Sequence, residues 1–316
     1  MTNRERFFRS ILFEPVDRPA RTDAFLLVEE AFGKAFPSEN NIENSTGKER
    51  DNLLKQCAEI HLQIACHYDY DAIFAWHPFT GPASLEIISM LKHMTCRQPR
   101  AIIGMVPVAF WALEQIQDHT SFAIRLYEDM PGLHNEAQNM LDAALKRVHD
   151  LKEAGADVAY IPNDQAFNTG PYFSPSVYQE LVLPYAQKLF AEIRKLGLIG
   201  VYHTDGNIMS LLHLIMETGA HALQSIDPMA GMDIKKVKEL TYGRLALIGN
   251  VQCSFLQQGP KDAIAESARY CLRYGAQNGG YVFMASNSIF PGIPLENYHV
   301  MQAEYDKFVA EQIESF

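Results

Sequence analysis

Short apolar segments of strand character recur along the chain, and segments with helical periodicity separate them. Eight such segments cover residues 22–26, 71–76, 101–109, 158–162, 199–203, 222–226, 245–251 and 281–285. They are nearly continuous in apolar residues, which is typical of strands that are covered on both faces. Eight strands that are each followed by a helix predict an α/β fold, a closed (β/α)8 TIM barrel. Residues 1–316 are therefore expected to form a single domain.

The main rival fold is an open, doubly wound sheet, which usually carries a phosphate-binding motif after its first strand. Neither GxGxxG nor GxxxxGK[ST] occurs in this sequence, so the usual signature of that rival is missing. Residues 1–21 precede the first predicted strand. We predict that they form a helical extension across the bottom of the barrel.

Charge and composition restrict the class of partner and the compartment. Lys and Arg number 27 and Asp and Glu 38, which gives a formal net charge of −11 and disfavours nucleic-acid binding. No apolar run is long enough to predict a membrane span, and the charged N-terminus does not resemble a signal peptide. The five cysteines are scattered without a CxxC pair, as is typical of reduced thiols. These features predict a cytoplasmic protein that acts on a small molecule.

In a (β/α)8 barrel the active site lies at the carboxyl ends of the strands, whereas the opposite rim serves stability. Asp71 and His221 begin predicted strands, so we assign no chemistry to them. Polar and aromatic residues follow the strand ends, and we predict that six of them bind substrate. These six residues are Trp76, Asp164, Asn207, Asp227, Asn250 and Asn287.

The densest group of candidate residues is the sequence HTDG at 203–206. His203 and Asp205 are two residues apart on a strand and therefore point the same way. Such a pair would bind zinc, with Asn287 approaching from the eighth strand, or would act as a general base with its orienting partner. We predict catalytic roles for His203, Asp205 and His77. The alternatives are that Asp205 caps a helix, that His203 fills the barrel mouth and that His77 packs beside Trp76.

Five segments of the sequence resemble the motifs of a known superfamily. They are RERFFRSILFEPVDRPA at the N-terminus, AGADVAYIPND, YHTDGNI, LALIGNVQ and the C-terminal GGYVFMASNSIFPGIPLEN. Together they resemble the uroporphyrinogen decarboxylase superfamily over nearly the whole chain. The resemblance implies a (β/α)8 barrel and leaves a homodimer open. It also implies one of two activities: cofactor-free decarboxylation of a tetrapyrrole, or zinc-dependent methyl transfer to or from a corrinoid protein.

Two departures from the superfamily's motifs favour the methyltransferase branch. The decarboxylases carry an arginine-rich motif after the first strand, where this chain reads DAFLLVEEAFG without arginine. They also place a catalytic aspartate in an FSDI motif at the second strand, where this chain reads FAWHPF with His77 nearby. Decarboxylation of a polyanionic tetrapyrrole is therefore hard to support.

The thiol-activating methyltransferases of the superfamily use His-x-Cys at the fifth strand and a further Cys at the eighth. This chain keeps the histidine as His203 but has Asp205 and Asn287 at the cysteine positions. Zinc held by these harder ligands would favour an ether or amine methyl donor over a thiol acceptor. We therefore expect a zinc-dependent methyltransferase that transfers a methyl group from a methoxylated or methylated small molecule, with a corrinoid supplied by a partner protein. The alternatives are a uroporphyrinogen decarboxylase-type lyase and a non-catalytic small-molecule binding barrel.

Overall fold

Eight parallel strands form a nearly closed barrel in the computed structural model, which describes residues 1–76, 78–79 and 81–314. The strands of the described chain are β1 Ala20–Arg21, β2 Ala72–Phe74, β3 Ala101–Met105, β4 Val158–Pro162, β5 Ala166–Phe167, β6 Gly170–Pro171, β7 Ile199–Thr204, β8 Ala222–Ser225, β9 Ala246–Val251 and β10 Tyr281–Ala285. The barrel order is β1-β10-β9-β8-β7-β4-β3-β2, and β5 and β6 form a separate antiparallel hairpin. The predicted (β/α)8 fold is confirmed.

The barrel closes between β1 and β2 through individual hydrogen bonds rather than through a ladder. The backbone N–H of Asp71 donates to the carbonyl oxygen of Arg21 at 2.8 Å. The hydroxyl of Thr22 donates to the carbonyl oxygen of Ala72 at 2.9 Å. These contacts satisfy backbone groups at the seam that would otherwise be buried without partners.

The first strand is shorter than the sequence predicts, because a side chain replaces part of its ladder. The prediction was residues 22–26, whereas the paired segment is Ala20–Arg21, followed only by an isolated bridge between Phe25 and Ile289. Between these points the carboxylate of Asp23 accepts the backbone N–H of Ala285 at 2.9 Å. A ladder position is thus occupied by a carboxylate, which the apolar pattern does not reveal.

Helices surround the barrel and connect its strands. The α-helices of the described chain are α1 Asn3–Ile11, α2 Val28–Phe32, α3 Glu39–Asn44, α4 Gly47–His67, α5 Ala83–Met94, α6 His119–Glu128, α7 Met130–Ala154, α8 Pro175–Val177, α9 Leu183–Lys195, α10 Leu212–Glu217, α11 Ile234–Thr241, α12 Cys253–Gln258, α13 Lys261–Gly275 and α14 Leu295–Glu314. A π-helical turn, Tyr178–Val182, joins α8 to α9, and 3₁₀ turns lie at Leu113–Gln115 and Pro228–Ala230. None of the described helices is both long enough and apolar enough to cross a membrane.

Helix α1 covers the amino-terminal end of the barrel, as the sequence predicts. Its Thr2 and Glu5 form a reciprocal capping box, which satisfies backbone donors at the helix start. Phe7 and Ile11 are fully buried and pack against the inward-facing side chains of the strands, such as Ala72. This end of the barrel is therefore filled by apolar side chains, and the candidate chemistry lies at the other end.

Candidate active site at the barrel mouth

The loop after β7 positions the HTDG sequence at the carboxyl end of the barrel. Gly206 has φ of +83°, and a Cβ at this residue would lie 2.3 Å from the carbonyl oxygen of Ala166. Only glycine tolerates both the left-handed backbone and so close an approach to the β5–β6 hairpin. The backbone N–H of Asn207 then donates to Phe167 at 2.9 Å, which fixes the loop beneath the hairpin.

Three potential metal ligands converge at this loop. The Nε2 atom of His203 lies 3.7 Å from Oδ1 of Asp164 and 4.0 Å from Oδ1 of Asp205. One donor atom from each of the three residues lies within 4.8 Å of the others. We refer to Asp164, His203 and Asp205 as the mouth triad. No lysine or arginine in the described part of the chain lies within ion-pair distance of its carboxylates.

Asp205 is held by neighbours from two other strands. Its Oδ1 accepts a hydrogen bond from the hydroxyl of Ser225, and its Oδ2 accepts one from Nδ2 of Asn287 at 2.8 Å. Ser225 and Ile226 have φ of +91° and +48°, a left-handed conformation that is costly for a β-branched residue. This strained turn aims the Ser225 hydroxyl at the triad. Burial raises the pKa of the Asp205 carboxyl, and the neighbouring Asp164 adds to the rise.

Asp164 is fixed by the backbone on both sides. Its Oδ1 accepts the backbone N–H of Asp205 at 2.8 Å, which joins the two acids of the triad directly. Its own backbone N–H donates to a carboxylate oxygen of Glu114 at 3.0 Å. Burial raises the pKa of Glu114 above its ordinary value. The mouth therefore gathers three carboxyl groups around one imidazole.

A row of stacked rings forms one wall of the mouth. Trp76 stacks on Tyr160 with a centroid separation of 5.7 Å, and Tyr160 stacks on His203 at 5.6 Å. Phe74 meets Tyr160 edge to face at 5.5 Å. The stacking restricts rotation of the imidazole and gives the site an aromatic wall.

The other side of the imidazole faces a buried glutamine. The Oε1 atom of Gln224 lies within hydrogen-bonding distance of Nδ1 of His203, and it accepts the hydroxyl of Tyr160 at 2.7 Å. Nε2 of Gln224 donates to the carbonyl oxygen of Ser286 at 3.1 Å. His203 is therefore held from three directions, by a ring, an amide and the acids of the triad.

The remaining predicted substrate-binding residues are divided between the mouth and the barrel wall. Asp227 accepts the backbone N–H of Gly206 at 3.3 Å and also caps the following 3₁₀ turn. Asn207 links its loop to that turn by donating to Ala230 at 3.1 Å. Asn250 is buried, donates to Ile226 and accepts from Cys271 on α13, so it lies away from the triad.

Two further residues with predicted roles are His77 and Asn287. His77 lies outside the described residues, so its predicted catalytic role stays a prediction. Asn287 contacts Asp205 rather than the imidazole, and its Oδ1 already accepts the backbone N–H of Ser288 at 2.7 Å. Within the described chain it is Asp164 that joins His203 and Asp205. The prediction that Asn287 ligates a metal is not tested by this arrangement.

Sequence reasoning missed four residues of the site: Glu114, Tyr160, Ser225 and Gln224. Two of them carried a recognisable signal. Tyr160 and Gln224 share the inward-facing parity of their strands with buried apolar residues such as Val158 and Ala222. A polar side chain at an inward position of an apolar strand is costly unless it is hydrogen-bonded, so it marks a site worth examining. Ser225 and Glu114 gave no comparable signal.

Comparison with known proteins places the chain in a family. Residues 55–308 match the family model described as uroporphyrinogen decarboxylase (URO-D). The uroporphyrinogen decarboxylase of Syntrophotalea carbinolica is 25% identical over 226 residues, which cover 68% of this chain and 62% of the relative. That of Thermus thermophilus is 26% identical over 223 residues, covering 68% of this chain and 61% of the relative. The chain thus matches somewhat less than two thirds of the length of these curated relatives.

A solved structure extends the likeness over almost the whole chain. A methyltransferase from Methanosarcina mazei superposes with a TM-score of 0.75 at 20% sequence identity, covering 98% of this chain and 99% of that one. At this identity the likeness concerns the fold. The family model, in contrast, matches most of the sequence, so the chain belongs to the uroporphyrinogen decarboxylase (URO-D) family.

Proposed function

We propose that this chain is a zinc-dependent methyltransferase of the URO-D family. It would take a methyl group from a methoxylated or methylated small molecule and pass it to a corrinoid that a partner protein carries. The observation that carries the proposal is the mouth triad, in which one imidazole and two carboxylates converge without a cationic partner among the described residues. The likeness in fold to the Methanosarcina methyltransferase supports the same branch.

The triad fits zinc in number and kind of ligand. A catalytic zinc has three protein ligands and an open position, and its ligand atoms lie about 3.3 Å apart when each is about 2.0 Å from the metal. The 3.7 Å and 4.0 Å separations around Nε2 of His203 need only a small contraction to meet that geometry. Two carboxylates with one imidazole make a harder donor set than thiolates would, which disfavours activation of a thiol.

The residues of the mouth have separate tasks in this proposal. Bound zinc would act as a Lewis acid on the oxygen or nitrogen that carries the methyl group. Ser225 and Asn287 hold the Asp205 carboxylate in place, and the Trp76–Tyr160 stack offers an aromatic surface to the donor molecule. The donor would lose its methyl group as a cation equivalent to the reduced, Co(I) form of the corrinoid, and its oxygen or nitrogen would take a proton from solvent.

The charge of the mouth argues against a tetrapyrrole substrate. Uroporphyrinogen carries eight carboxylates, and moving them into a barrel mouth requires cations that offset their lost hydration. In the described mouth the charged groups around His203 are Asp164, Asp205 and Glu114, and Asp227 adds a fourth acid nearby. A polyanion would therefore meet repulsion at this site.

A carboxy-lyase is the second candidate, supported by the family model and by the curated relatives, which are uroporphyrinogen decarboxylases. In that case the mouth would bind and decarboxylate an acidic substrate without metal. The two candidates therefore differ in metal content and in product.

The experiment measures both differences on one preparation. Protein purified without chelator is analysed for metals, stripped, and titrated with Zn²⁺ alone. It is then incubated with cob(I)alamin and a panel of methoxylated aromatics and methylated amines, and separately with uroporphyrinogen. We expect one zinc per chain, methylcobalamin from at least one donor and no coproporphyrinogen. Coproporphyrinogen formed at enzymatic rates by metal-free protein would establish the lyase, and a metal-free protein without turnover of either kind would indicate a non-catalytic barrel.

Variants of the mouth identify the ligands. Asp164→Asn and Asp205→Asn each remove one donor charge, and both should weaken zinc binding by at least about 100-fold because three-ligand sites depend on each ligand. Asp227→Asn is the matched control, since Asp227 lies beside the same loop but its hydrogen bonds within the described residues are to backbone N–H groups. Equal losses in all three variants would contradict the assignment of Asp164 and Asp205 as ligands.

A further inference from the structure

Gln224 is a deeply buried polar side chain in contact with the mouth triad. It projects from β8 into the barrel and is only 1% exposed. Its Oε1 lies between the hydroxyl of Tyr160 and Nδ1 of His203, and its Nε2 points at the carbonyl oxygen of Ser286. Both the oxygen and the nitrogen of the amide therefore have a hydrogen-bond partner.

The orientation of this amide is determined by its partners. The carbonyl oxygen of Ser286 is purely an acceptor, so the group facing it at 3.1 Å must be the NH₂ of Gln224. Sulfur of Met284, a weak acceptor, also lies 4.0 Å from that nitrogen. The opposite amide orientation would bring two carbonyl oxygens together inside the barrel. Oε1 is thus the atom that faces His203.

An acceptor next to Nδ1 decides where the imidazole proton is. A neutral histidine carries one proton, on either Nδ1 or Nε2, and Oε1 of Gln224 cannot donate one. The contact between Oε1 and Nδ1 is therefore favourable only when Nδ1 is protonated. Two carbonyl lone pairs are enough for both donors, the Tyr160 hydroxyl and the imidazole N–H.

The carboxylates of the triad favour the opposite arrangement. Asp164 and Asp205 lie 3.7 Å and 4.0 Å from Nε2, and carboxylates near that atom would attract a proton onto it. A protonated Nε2 has no lone pair for a metal. The local competition is therefore between a hydrogen-bonding contact with a buried amide and two contacts, at 3.7 Å and 4.0 Å, with partly exposed acids.

We propose that Gln224 is a positioning residue that keeps the His203 proton on Nδ1, so that Nε2 presents its lone pair between Asp164 and Asp205. The stack of Tyr160 on His203 supports this role by holding the plane of the ring, while the contact with Gln224 selects the ring edge that carries Nδ1. The proposal deepens the proposed function, since it explains how an imidazole beside two carboxylates remains a ligand. Only the zinc-binding part of this inference rests on the proposed function. The position of the His203 proton can be determined in the metal-free protein.

The first measurement determines the tautomer without metal. Metal-free protein labelled with ¹⁵N-histidine is examined by NMR under conditions where the ring is neutral, and the His203 signals are assigned by their loss in His203→Gln. We expect a protonated Nδ1 and an unprotonated Nε2 in the wild type. Gln224→Met, which keeps the length of the side chain but lacks the acceptor, should move the proton to Nε2. Gln224→Glu, which restores the acceptor, should move it back to Nδ1.

Tyr160→Phe is the matched control. It removes the other hydrogen bond to Oε1 but leaves the ring stack and the Nδ1 contact in place, so the tautomer should not change. A wild-type ring protonated on Nε2 overturns the proposal, and so does a Gln224→Met protein that keeps the Nδ1 proton. If Gln224→Met does not fold, the wild-type spectrum decides alone.

The second measurement uses Zn²⁺ alone. Loss of a group that orients a metal-ligating histidine typically weakens metal binding about 10- to 100-fold, so we expect that loss in Gln224→Met and less than about 3-fold in Tyr160→Phe. A wild type that binds no zinc refutes the proposed function while leaving the tautomer result intact. A wild type that binds zinc equally well in all variants refutes the role of Gln224 and leaves the proposed function standing.

Discussion

The two rims of the barrel use aspartate in opposite ways. At the amino-terminal rim the fully buried carboxylate of Asp71 is paired with Arg6 and Arg18, each at 2.7 Å, and accepts the backbone N–H of Arg21 at 2.8 Å. We call Asp71, Arg6 and Arg18 the closed-rim cluster. At the mouth, in contrast, the described partners of Asp205 are a hydroxyl, an amide, an imidazole and a second acid.

The difference lies in the partners rather than in the residue type. Carboxylates neutralised by arginine have little capacity to bind anything else, and they hold the helical extension onto the barrel. Carboxylates that are fixed in position but not neutralised keep lone pairs for a cation. Stability should therefore respond most to changes at the closed rim, and ligand binding to changes at the mouth.

The largest loss of stability is expected for Asp71→Asn. The change removes the buried counter-charge that Arg6 and Arg18 share, and breaking a buried ion pair typically costs about 3–5 kcal/mol of unfolding free energy. The half-exposed carboxylates of Asp17 and Asp69 still pair with the two arginines, so we expect the lower end of that range. Zinc affinity of the folded protein should not change. Chemical denaturation and zinc titration measure the two quantities. Asp306→Asn is the control, because Asp306 pairs with Arg21 but is 63% exposed and should cost less than about 1 kcal/mol.

The fold was predictable because it rests on patterns that read directly from the sequence. The eight apolar segments predict the number of strands, and the segment of residues 1–21 before the first strand predicts the helical extension at the bottom of the barrel. The extent of the first strand was not predictable, since Asp23 interrupts the ladder with its side chain. The sequence analysis also missed the β5–β6 hairpin, because its four paired residues are too few to show a periodic pattern.

The sequence predicted which residues lie near the carboxyl ends of the strands, but not the directions of their side chains. His203, Asp205 and Asp164 meet because two neighbouring parallel strands, β4 and β7, end at one rim. Asn250 follows the same rule, yet it is directed away from the mouth towards α13. The direction of a side chain beyond the end of a strand depends on local backbone angles, such as those of Ser225 and Ile226, which the apolar pattern does not specify.

Asp23, a buried acid between the two rims, shows how a carboxyl group behaves when hydrogen bonds rather than an ion pair hold it. Asp23 accepts hydrogen bonds from Tyr298 and Ala285, and burial raises its pKa to about 7. The folded state then holds a proton that the unfolded state has already released, so stability should fall as pH rises from about 4 to about 7 and level off above. The total is about 4 kcal/mol for a shift of about three pKa units.

The comparison with Asp23→Asn isolates this effect. Asparagine resembles the protonated acid, so the variant should gain stability relative to the wild type as pH rises from 4 to 8. Denaturation at several pH values measures the difference. His221, whose pKa is lowered to about 4 by burial, contributes the opposite slope between about 4 and 6.5, but it does so in both proteins and cancels. A difference that does not depend on pH would contradict the buried, protonated state of Asp23.

A smaller loss is expected for Gly206→Ala at the mouth. The new Cβ would combine a left-handed backbone with a 2.3 Å approach to the Ala166 carbonyl oxygen, and we expect a cost of about 2–3 kcal/mol. Because the loop also carries Asp205, zinc affinity should fall as well. Gly231→Ala is the control: Gly231 has φ of +76° with open space around its Cβ position, so it should cost about 1 kcal/mol and leave zinc binding unchanged. Equal costs for the two variants would mean that the hairpin contact is unimportant.

The smallest change in stability, with the largest change in binding, is expected for His203→Ala. Its ring lies in the mouth rather than in the packed layers, and Oε1 of Gln224 keeps the Tyr160 hydroxyl as a partner when the ring is removed. The unfolding free energy should therefore fall by no more than about 1 kcal/mol, while zinc binding is lost. Tyr202→Ala on the same strand provides the contrast, because Tyr202 is fully buried on the opposite face and its truncation should cost about 3–5 kcal/mol. If His203→Ala destabilises the protein as much as Tyr202→Ala and the wild type binds no metal, His203 is a packing residue and the two rims serve the same purpose.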